Sequence, residues 1–450
     1  MDVIVVGAGQ AGLHIAQALT QERHDVTLVD TDRERLDRAE EFLDVRTICD
    51  HGASPRVLEM AGAPGANLVA AVTNSDEVNL ISAVTAKELG ATLTAARVYN
   101  QAYHGGEKVE YRNLLGIDLI VSPQALAAFE IAKLIENPAA VMVESFAQGR
   151  VQMREMVATH DSAAAGRRIR DIFPPGRREG VLAMSITRRD YVSVPGPDDY
   201  VKEGDLVTVV MPSGTTDKVR ELFHETEAPA HSVVIAGGGT TAMMLAQTLE
   251  SRDKDVKLIE QDRERCEALA RVLKRTQIIH GDATRHSVME EERVGDADIF
   301  VAMCGEDEVN LMSALQAREM GVRHVTVTVN RADYAPLVER IGIQHAISPR
   351  ILTGNRVLML FGRYPILSTT VLHDGRAEII EVMAEAGSRI VDRKLGDEVR
   401  LPKDTILGAV VRCEEVIVPR RGAVVRPGDT CIAFALASAV DDLTGMFRAR

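Results

Sequence analysis

The sequence predicts an α/β chain in which a doubly wound parallel sheet and a small α+β lobe occur twice, in the order A–B–A′–B′. Three observations predict it. First, the glycine-rich turn Gly7-Ala8-Gly9-Gln10-Ala11-Gly12 follows an apolar run near the N-terminus, and Gly237-Gly238-Gly239-Thr240-Thr241-Ala242 follows another just past the middle. Second, each turn is trailed at one interval by an acid that closes the next apolar run: Asp30 lies 18 positions after Gly12, and Glu260 lies 18 after Ala242. Third, later strings repeat in the same order. His51-Gly52-Ala53-Ser54 aligns with Gly281-Asp282-Ala283-Thr284, Asp76-Glu77-Val78-Asn79-Leu80 with Asp307-Glu308-Val309-Asn310-Leu311, and Ser122-Pro123 with Ser348-Pro349. A lone GxGxxG is weak; two in register, each between a strand and a helix, imply a duplicated Rossmann-like lobe.

The first lobe, residues 1–122, alternates strands and helices. Short apolar runs at Val3–Val6, Val26–Asp30, Val45–Ile48, Leu68–Val72, Ala95–Val98 and Ile117–Val121 read as buried parallel strands. Between the first two lies an apolar-periodic helix through Leu13, Ile15, Ala16 and Leu19, and a charged helix spans Asp32 to Leu43. Ser122-Pro123 is an N-cap and first-turn pair opening a crossover helix, 123–139, that stops at Asn137-Pro138. Residues 140–226 change character. Short β-like runs at Val181–Ile186 and Leu206–Val210 are broken by Pro174-Pro175-Gly176 and Pro195-Gly196-Pro197, and a helix near Thr215–Phe223 ends the lobe. After the polar stretch Glu225–His231 the pattern restarts: a second sheet lobe at 232–348, a second crossover helix at 349–365 and a β-rich lobe at 366–450, where Gly428-Asp429 matches Gly204-Asp205.

Composition narrows the function. A net charge of −14 argues against a nucleic-acid partner, since phosphate backbones are bound through clustered Lys and Arg, and solubility accounts for most of that charge. The five cysteines, Cys49, Cys266, Cys304, Cys413 and Cys431, make no CxxC pair, so neither a disulfide framework nor a structural zinc site is expected and a reducing cytosol suits them. No basic leader precedes Val3–Val6, and no run reaches the ~18 apolar residues of a membrane span. Any membrane role is expected through a partner. The acidic pairs Asp198-Asp199 and Asp441-Asp442 read as solvated turns and caps in preference to cation sites.

In the first site Gly7 permits the tight turn, Gly9 lets the backbone approach a pyrophosphate, and Gly12 lets helix pack on strand. The helix start at Gln10-Ala11 offers free N–H groups to phosphate. Asp30 suits ribose hydroxyls and disfavours a 2′-phosphate, so NAD or an adenine nucleotide is expected over NADP. Thr73 and Asn74, after the fourth strand, are placed for the second half of a dinucleotide or a phosphate; Asp76 and Asn79 either join them or cap the next helix. Arg97, the one cation in its strand, is expected on a phosphate, with a carboxylate at a domain interface as the alternative. His51 lies on the adenosine side of the cleft. The second site keeps Gly237, Gly238, Gly239, Thr240, Thr241, Glu260 and Asp282, but Thr73-Asn74 becomes Cys304-Gly305 and Arg97 becomes Val327 in this alignment, so a weaker or different occupant such as a mononucleotide is expected there.

Ala8-Gly9-Gln10, Val29-Asp30-Thr31-Asp32, the long string Ala71 to Asn79, Gly281-Asp282-Ala283-Thr284 and Ile406 to Arg412 together resemble the TrkA family, the cytosolic regulatory subunits of bacterial Trk potassium-uptake systems. The resemblance covers the whole chain as tandem RCK domains, each a nucleotide-binding lobe plus a C-terminal lobe. It implies a homotetrameric ring beneath an integral-membrane potassium channel subunit of TrkH/TrkG type, peripheral on the cytoplasmic face of the inner membrane, with NAD(H) and ATP/ADP as effectors. The crossover helices at Gln124–Ile135 and Arg350–Phe361 would be the dimerising elements, although a helix buried within one chain reads the same. One departure is Tyr99, where such first sites often carry a second Arg. No enzyme is expected: His51, His104 and His280 form no catalytic constellation with a general acid or base. A nucleotide sensor for another transporter is the alternative, and an NAD-dependent oxidoreductase comes after it.

Overall fold

The computed structural model describes the chain apart from residues 22, 104–108, 137–141, 148, 175–179, 190, 224–229, 332–333, 335–336, 339–340, 342, 344, 362–365, 373–375, 414 and 449–450. The expectations for His104, Asn137-Pro138, Pro175-Gly176 and the stretch from Glu225 up to Ala230 lie outside the described residues. The chain forms two compact units, Met1–Glu136 with Ala230–Phe361, and Asn137–Pro229 with Gly362–Arg450. The first unit holds both glycine turns, and the second holds both small lobes.

In chain order the first lobe runs β1 (Asp2–Val6), α1 (Gln10–Gln21), β2 (Asp25–Asp30), α2 (Arg33–Phe42), β3 (Arg46–Cys49), α3 (Pro55–Ala61), β4 (Leu68–Ala71), α4 (Asp76–Glu88), β5 (Leu93–Arg97), α5 (Tyr111–Leu114) and β6 (Leu119–Val121), with α6 (Pro123–Glu136) as the first crossover helix. The first small lobe follows with β7 (Met142–Phe146), β8 (Val151–Val157), α7 (Ile169–Ile172), β9 (Leu182–Arg188), β10 (Tyr191–Ser193), β11 (Leu206–Pro212) and α8 (Thr216–Leu222). The second sheet lobe has β12 (Ser232–Ala236), α9 (Thr240–Ser251), β13 (Asp255–Glu260), α10 (Arg263–Val272), β14 (Gln277–His280), α11 (His286–Glu291), β15 (Ile299–Ala302), α12 (Asp307–Glu319), β16 (His324–Thr328) and β17 (His345–Ile347). The second crossover helix spans Pro349–Phe361, and the last lobe has β18 (Ile366–Leu372), β19 (Ala377–Met383), β20 (Thr405–Arg412), β21 (Glu415–Ile417) and β22 (Thr430–Leu436).

Both sheet lobes are six-stranded, ordered β3-β2-β1-β4-β5-β6 and β14-β13-β12-β15-β16-β17. The strands are short and buried on both faces, as Val3–Val6 and Leu68–Ala71 show, because helices cover each side. The strand order reverses between β1 and β4, and again between β12 and β15. There the carboxyl ends of neighbouring strands open a crevice, and each glycine turn sits in it.

The two halves of this unit exchange their crossover helices. Ala128, Ile131, Ala132 and Ile135 of α6 are buried with Leu245, Leu249 and Leu258 of the second lobe. Val357 of the second crossover helix is buried among Ile15, Leu19 and Leu28 of the first. Glycine makes one of these contacts possible. A Cβ on Gly354 would stand 2.6 Å from the His14 ring, and the same approach lets His14 Nε2 hydrogen-bond Asn355 Oδ1 at 2.9 Å. A mid-helix glycine costs about 1 kcal/mol against alanine, so close approach of α1 is what it serves. The apolar faces seen in the sequence thus join the two halves of one chain.

In the other unit the sheets are antiparallel, ordered β10-β9-β11-β8-β7 and β18-β19-β22-β20-β21. They share an apolar layer in which Phe146, Met153, Met184 and Val210 pack with Ile379, Ile432 and Phe434. The repeated Gly-Asp turn has a structural role. Arg188 donates through Nε and Nη2 to the two carboxylate oxygens of buried Asp205, both at 2.7 Å, and Arg412 does the same with Asp429 at 3.0 and 2.8 Å. The acidic pairs keep the reading as turns and caps: Asp198 faces Arg170 at 2.9 Å, Asp199 accepts from the Gly196 N–H at 2.7 Å, and Asp441-Asp442 lie in the first turn of the helix Val440–Thr444.

Candidate functional site

Site one is built where β1, β2 and β4 end. Gly7 has φ +107°, a left-handed conformation that glycine alone adopts without strain. A Cβ on Gly12 would fall 1.9 Å from the Gly7 carbonyl oxygen, so α1 can lie against the turn only because the side chain is missing. Gly9 is different: a Cβ there meets no protein atom within 4 Å. Packing does not require that glycine. The space above it is what a pyrophosphate needs, and Gln10, Ala11 and Gly12 open α1 with N–H groups free of an intrahelical acceptor.

Asp30, ending β2, turns back to the glycine turn. Its Oδ2 accepts the Ala8 N–H at 2.6 Å and its Oδ1 the Asp32 N–H at 2.9 Å. Each oxygen keeps a lone pair for a hydroxyl donor. His51 lies exposed just beyond β3, with Nδ1 accepting the Ala53 N–H at 3.3 Å.

The loop after β4 is occupied with its own architecture. The Thr73 hydroxyl donates to Asn79 Oδ1 at 2.7 Å and accepts from the Ser75 N–H at 3.3 Å. Fully buried Asn79 holds the Thr73 N–H, the Thr73 carbonyl and the Arg97 carbonyl, each at 2.8 Å. Asp76 accepts the Tyr99 and Asn100 N–H groups at 2.8 and 2.7 Å, and Ser75 is the N-cap of α4. Asp76 and Asn79 do not cap the helix; they fasten the ends of β4 and β5 together. Asp307 and Asn310 repeat this in the second lobe, which explains why this string is the best preserved of the repeats.

Arg97 is 4% exposed. Its Nη2 donates to the Thr73 carbonyl at 2.6 Å and to Asn74 Oδ1 at 3.0 Å, its plane lies 4.8 Å from the Tyr99 ring centroid, and its Nε has no partner among the described residues. Burial pushes its guanidinium below the ordinary arginine value; the Tyr99 phenol partly offsets this and the positive charge of Arg350 adds to it. No carboxylate forms an ion pair with Arg97 among the described residues.

Site two repeats the turn with one exchange of bulk. Gly237 has φ +99°, and a Cβ on Gly239 meets nothing within 4 Å. A Cβ on Gly238, however, would stand 2.8 Å from Glu260 Oε2 and 2.7 Å from Leu269 Cδ1. The extra methylene of Glu260 uses the room that the Ala8 methyl fills beside the shorter Asp30, and Glu260 Oε2 still accepts the Gly238 N–H at 2.6 Å. Thr240 and Thr241 are half-buried in the first turn of α9. Asp282 is taken up locally by the Thr284 N–H and hydroxyl at 2.9 and 2.7 Å, which hold its carboxyl below the usual value. Cys304 is pushed up to about 11 by burial and by the negative charges of Glu260 and Asp282.

One alignment made in the sequence is corrected. Asn79 grips the Arg97 carbonyl and Asn310 grips that of Thr328, so the counterpart of Arg97 is Thr328 and not Val327. The unequal number of residues ahead of the two β4-type strands shifts the register by one, which strand propensity alone does not reveal. Two cations that the motifs do not mark reach the glycine turns. Arg265 donates through Nε to the Gly238 carbonyl at 2.6 Å, and Arg350 reaches Gln10 of the first lobe. The second was illegible without knowing that the crossover helices are exchanged.

The described residues fit the comparisons with known proteins. The TrkA-N domain profile matches residues 3–123 and again 233–349, and the TrkA-C domain profile matches 153–224. A Trk system potassium uptake protein TrkA homolog 1 of Methanosarcina mazei is 34% identical over 456 residues, covering all of both chains. The Trk system potassium uptake protein TrkA of Halomonas elongata is 36% identical over 440 residues, covering 97% of this chain and 96% of the relative. Among solved structures, the GsuK channel bound to NAD superposes with TM-score 0.62 at 16% identity, over 100% of this chain and 79% of that one. GsuK bound to ADP gives 0.51 at 13%, over 80% and 69%. These structural likenesses concern the fold. Full-length identity above the level of shared fold, together with two matched TrkA-N lobes, shows that the chain belongs to the TrkA family of Trk system potassium-uptake proteins.

Proposed function

We propose that this chain is the nucleotide-sensing regulatory subunit of a Trk-type potassium transporter, binding NAD(H) and ATP or ADP in the two glycine-turn crevices and passing the result to an integral-membrane channel subunit of TrkH/TrkG type. The observation that carries the reading is the open space above Gly9 and Gly239, each flanked by a carboxylate that already engages the turn. A ribose hydroxyl would meet Asp30 or Glu260, and a pyrophosphate would meet the N-termini of α1 and α9. The GsuK structures with NAD and ADP support the choice of ligand class. No helix among the described residues is long and apolar enough to cross a membrane, and in this reading a partner supplies the channel. The assembly would be a homotetrameric ring, peripheral on the cytoplasmic face of the inner membrane.

The physics is a shift of population: a ligand that fits one arrangement of the lobes better favours it by its difference in affinity, and no bond is broken. The test is reconstitution of the chain with the membrane subunit it retains from detergent-solubilised membranes, followed by potassium flux with and without NADH, ATP and ADP. Nucleotide-dependent flux through a potassium channel subunit is expected. Retention of a different transporter would favour the alternative sensor, and sustained NADH turnover would favour an oxidoreductase.

A further inference from the structure

Arg350 opens the second crossover helix, and the exchange of helices carries it to the first lobe. Its Nη1 donates to Gln10 Oε1 at 2.6 Å and approaches the Asn330 carbonyl at 3.5 Å. Gln10 is the residue immediately after Gly9, at the start of α1. On the other side of the same crevice stands Arg97, nine-tenths and more buried, with Nε unpartnered among the described residues. Two guanidinium groups from the two halves of the chain therefore approach one mouth, and among the described residues neither forms an ion pair with a carboxylate. Arginines stay charged in proteins, and the charge of Arg350 is felt at Arg97, so an anion that bridges the two guanidinium groups is favoured. Among the described residues site two has no such pair: Thr328 stands for Arg97, and Gln124, the counterpart of Arg350, accepts from the hydroxyl of Ser122, just ahead of its own helix, at 3.2 Å.

We propose that Arg350 is a ligand-contacting residue of site one, supplied by the second half of the chain, and that with Arg97 it takes the outer phosphates of an adenosine di- or triphosphate lying across the glycine turn. Gln10 holds the guanidinium until phosphate replaces it. A ligand that touches both Asp30 and Arg350 ties the first lobe to the second crossover helix, so occupancy of site one is felt by both halves. This rests on the reading of site one as a nucleotide site.

The test is calorimetric titration of the full chain with ATP, ADP, AMP and NADH, in the wild type, Arg350→Gln, Arg350→Lys and Arg356→Gln, with thermal melts of each. Arg356 is an exposed arginine of the same helix and controls for charge at a distance. Arg350→Gln is expected to weaken ATP about 10-fold or more and AMP less than about 2-fold, with a shallower salt dependence, while Arg350→Lys recovers part of the loss and Arg356→Gln changes little. Equal loss of ATP and AMP, or no loss of ATP while Asp30→Ala still weakens it, overturns the assignment of Arg350 and leaves site one a nucleotide site. Failure of the wild type to bind any of the four overturns the underlying reading.

Discussion

Site one and site two share a backbone and differ in where their charge comes from. Each has a left-handed glycine, an open third position and an acid bonded to the turn. Site one adds a buried arginine on β5 and an arginine from the other half. Site two substitutes threonine for the first and glutamine for the second, and turns its own Arg265 onto the Gly238 carbonyl. What was duplicated is the frame that places strand ends; what diverged is the set of side chains facing the space between them. Two crevices of one backbone frame thereby carry different numbers of cationic side chains.

The largest effect expected is one that ignores this divergence. Asn79→Ala and Asn310→Ala each strip a buried clamp of its backbone partners, leaving polar groups orphaned at about 1–3 kcal/mol apiece. Each should lower stability by about 2–4 kcal/mol in urea melts, and by similar amounts, since the clamps are alike. A loss confined to one lobe would show that the repeated string does different work in the two copies. Next in size is the acid. Asp30→Ala should weaken adenine nucleotides at site one by about 10–100-fold and leave site two's isotherm in place, with Glu260→Ala doing the reverse. Loss of both isotherms in either variant would break the picture of two separate sites.

How far the sequence could be read follows from the same distinction. The glycines, the acids and the succession of strands and helices were legible because backbone geometry allows few residues at those places. Asp76 and Asn79 were visible as a repeated motif, but their role was not: polar residues after a strand look the same whether they face a ligand or tie two strands together. The Gly-Asp turns of the small lobes were seen as a repeat, and only the structure paired them with Arg188 and Arg412. Arg350 was hidden because its target lies 340 positions away, through a helix exchange that periodicity cannot announce. Several edge strands, Tyr191–Ser193 and Glu415–Ile417 among them, are too short to carry a pattern.

A smaller effect tests the exchange of bulk between the two turns. Gly238→Ala puts a methyl against Glu260 and Leu269 and should cost about 1–2 kcal/mol by overpacking. Adding Glu260→Asp removes the methylene in the way and recreates the Ala8–Asp30 pair. Most of the loss should then return, as a coupling energy in a double-mutant cycle of melting curves. Additive losses would mean that the two positions do not share the space.

The smallest effect lies at the other end of the comparison, where Cys304 replaces Thr73. Burial, with Glu260 and Asp282 adding to it, lifts the thiol to about 11, above its ordinary value, so the folded lobe binds this proton more tightly than the unfolded chain. The stability this confers is complete below the unfolded value of about 8.5 and is lost as pH rises from there through about 11. Alkylation of Cys304 at neutral pH should accordingly be slower than that of exposed Cys49 and Cys413, and should accelerate with pH across that window. Cys304→Thr should remove this part of the alkaline loss and let a hydroxyl reach Asn310 as Thr73 reaches Asn79. Fast labelling of Cys304 at neutral pH, seen by mass spectrometry of the peptide, would mean that the mouth of site two is far more open to water than its burial indicates, and the contrast with site one would have to be redrawn.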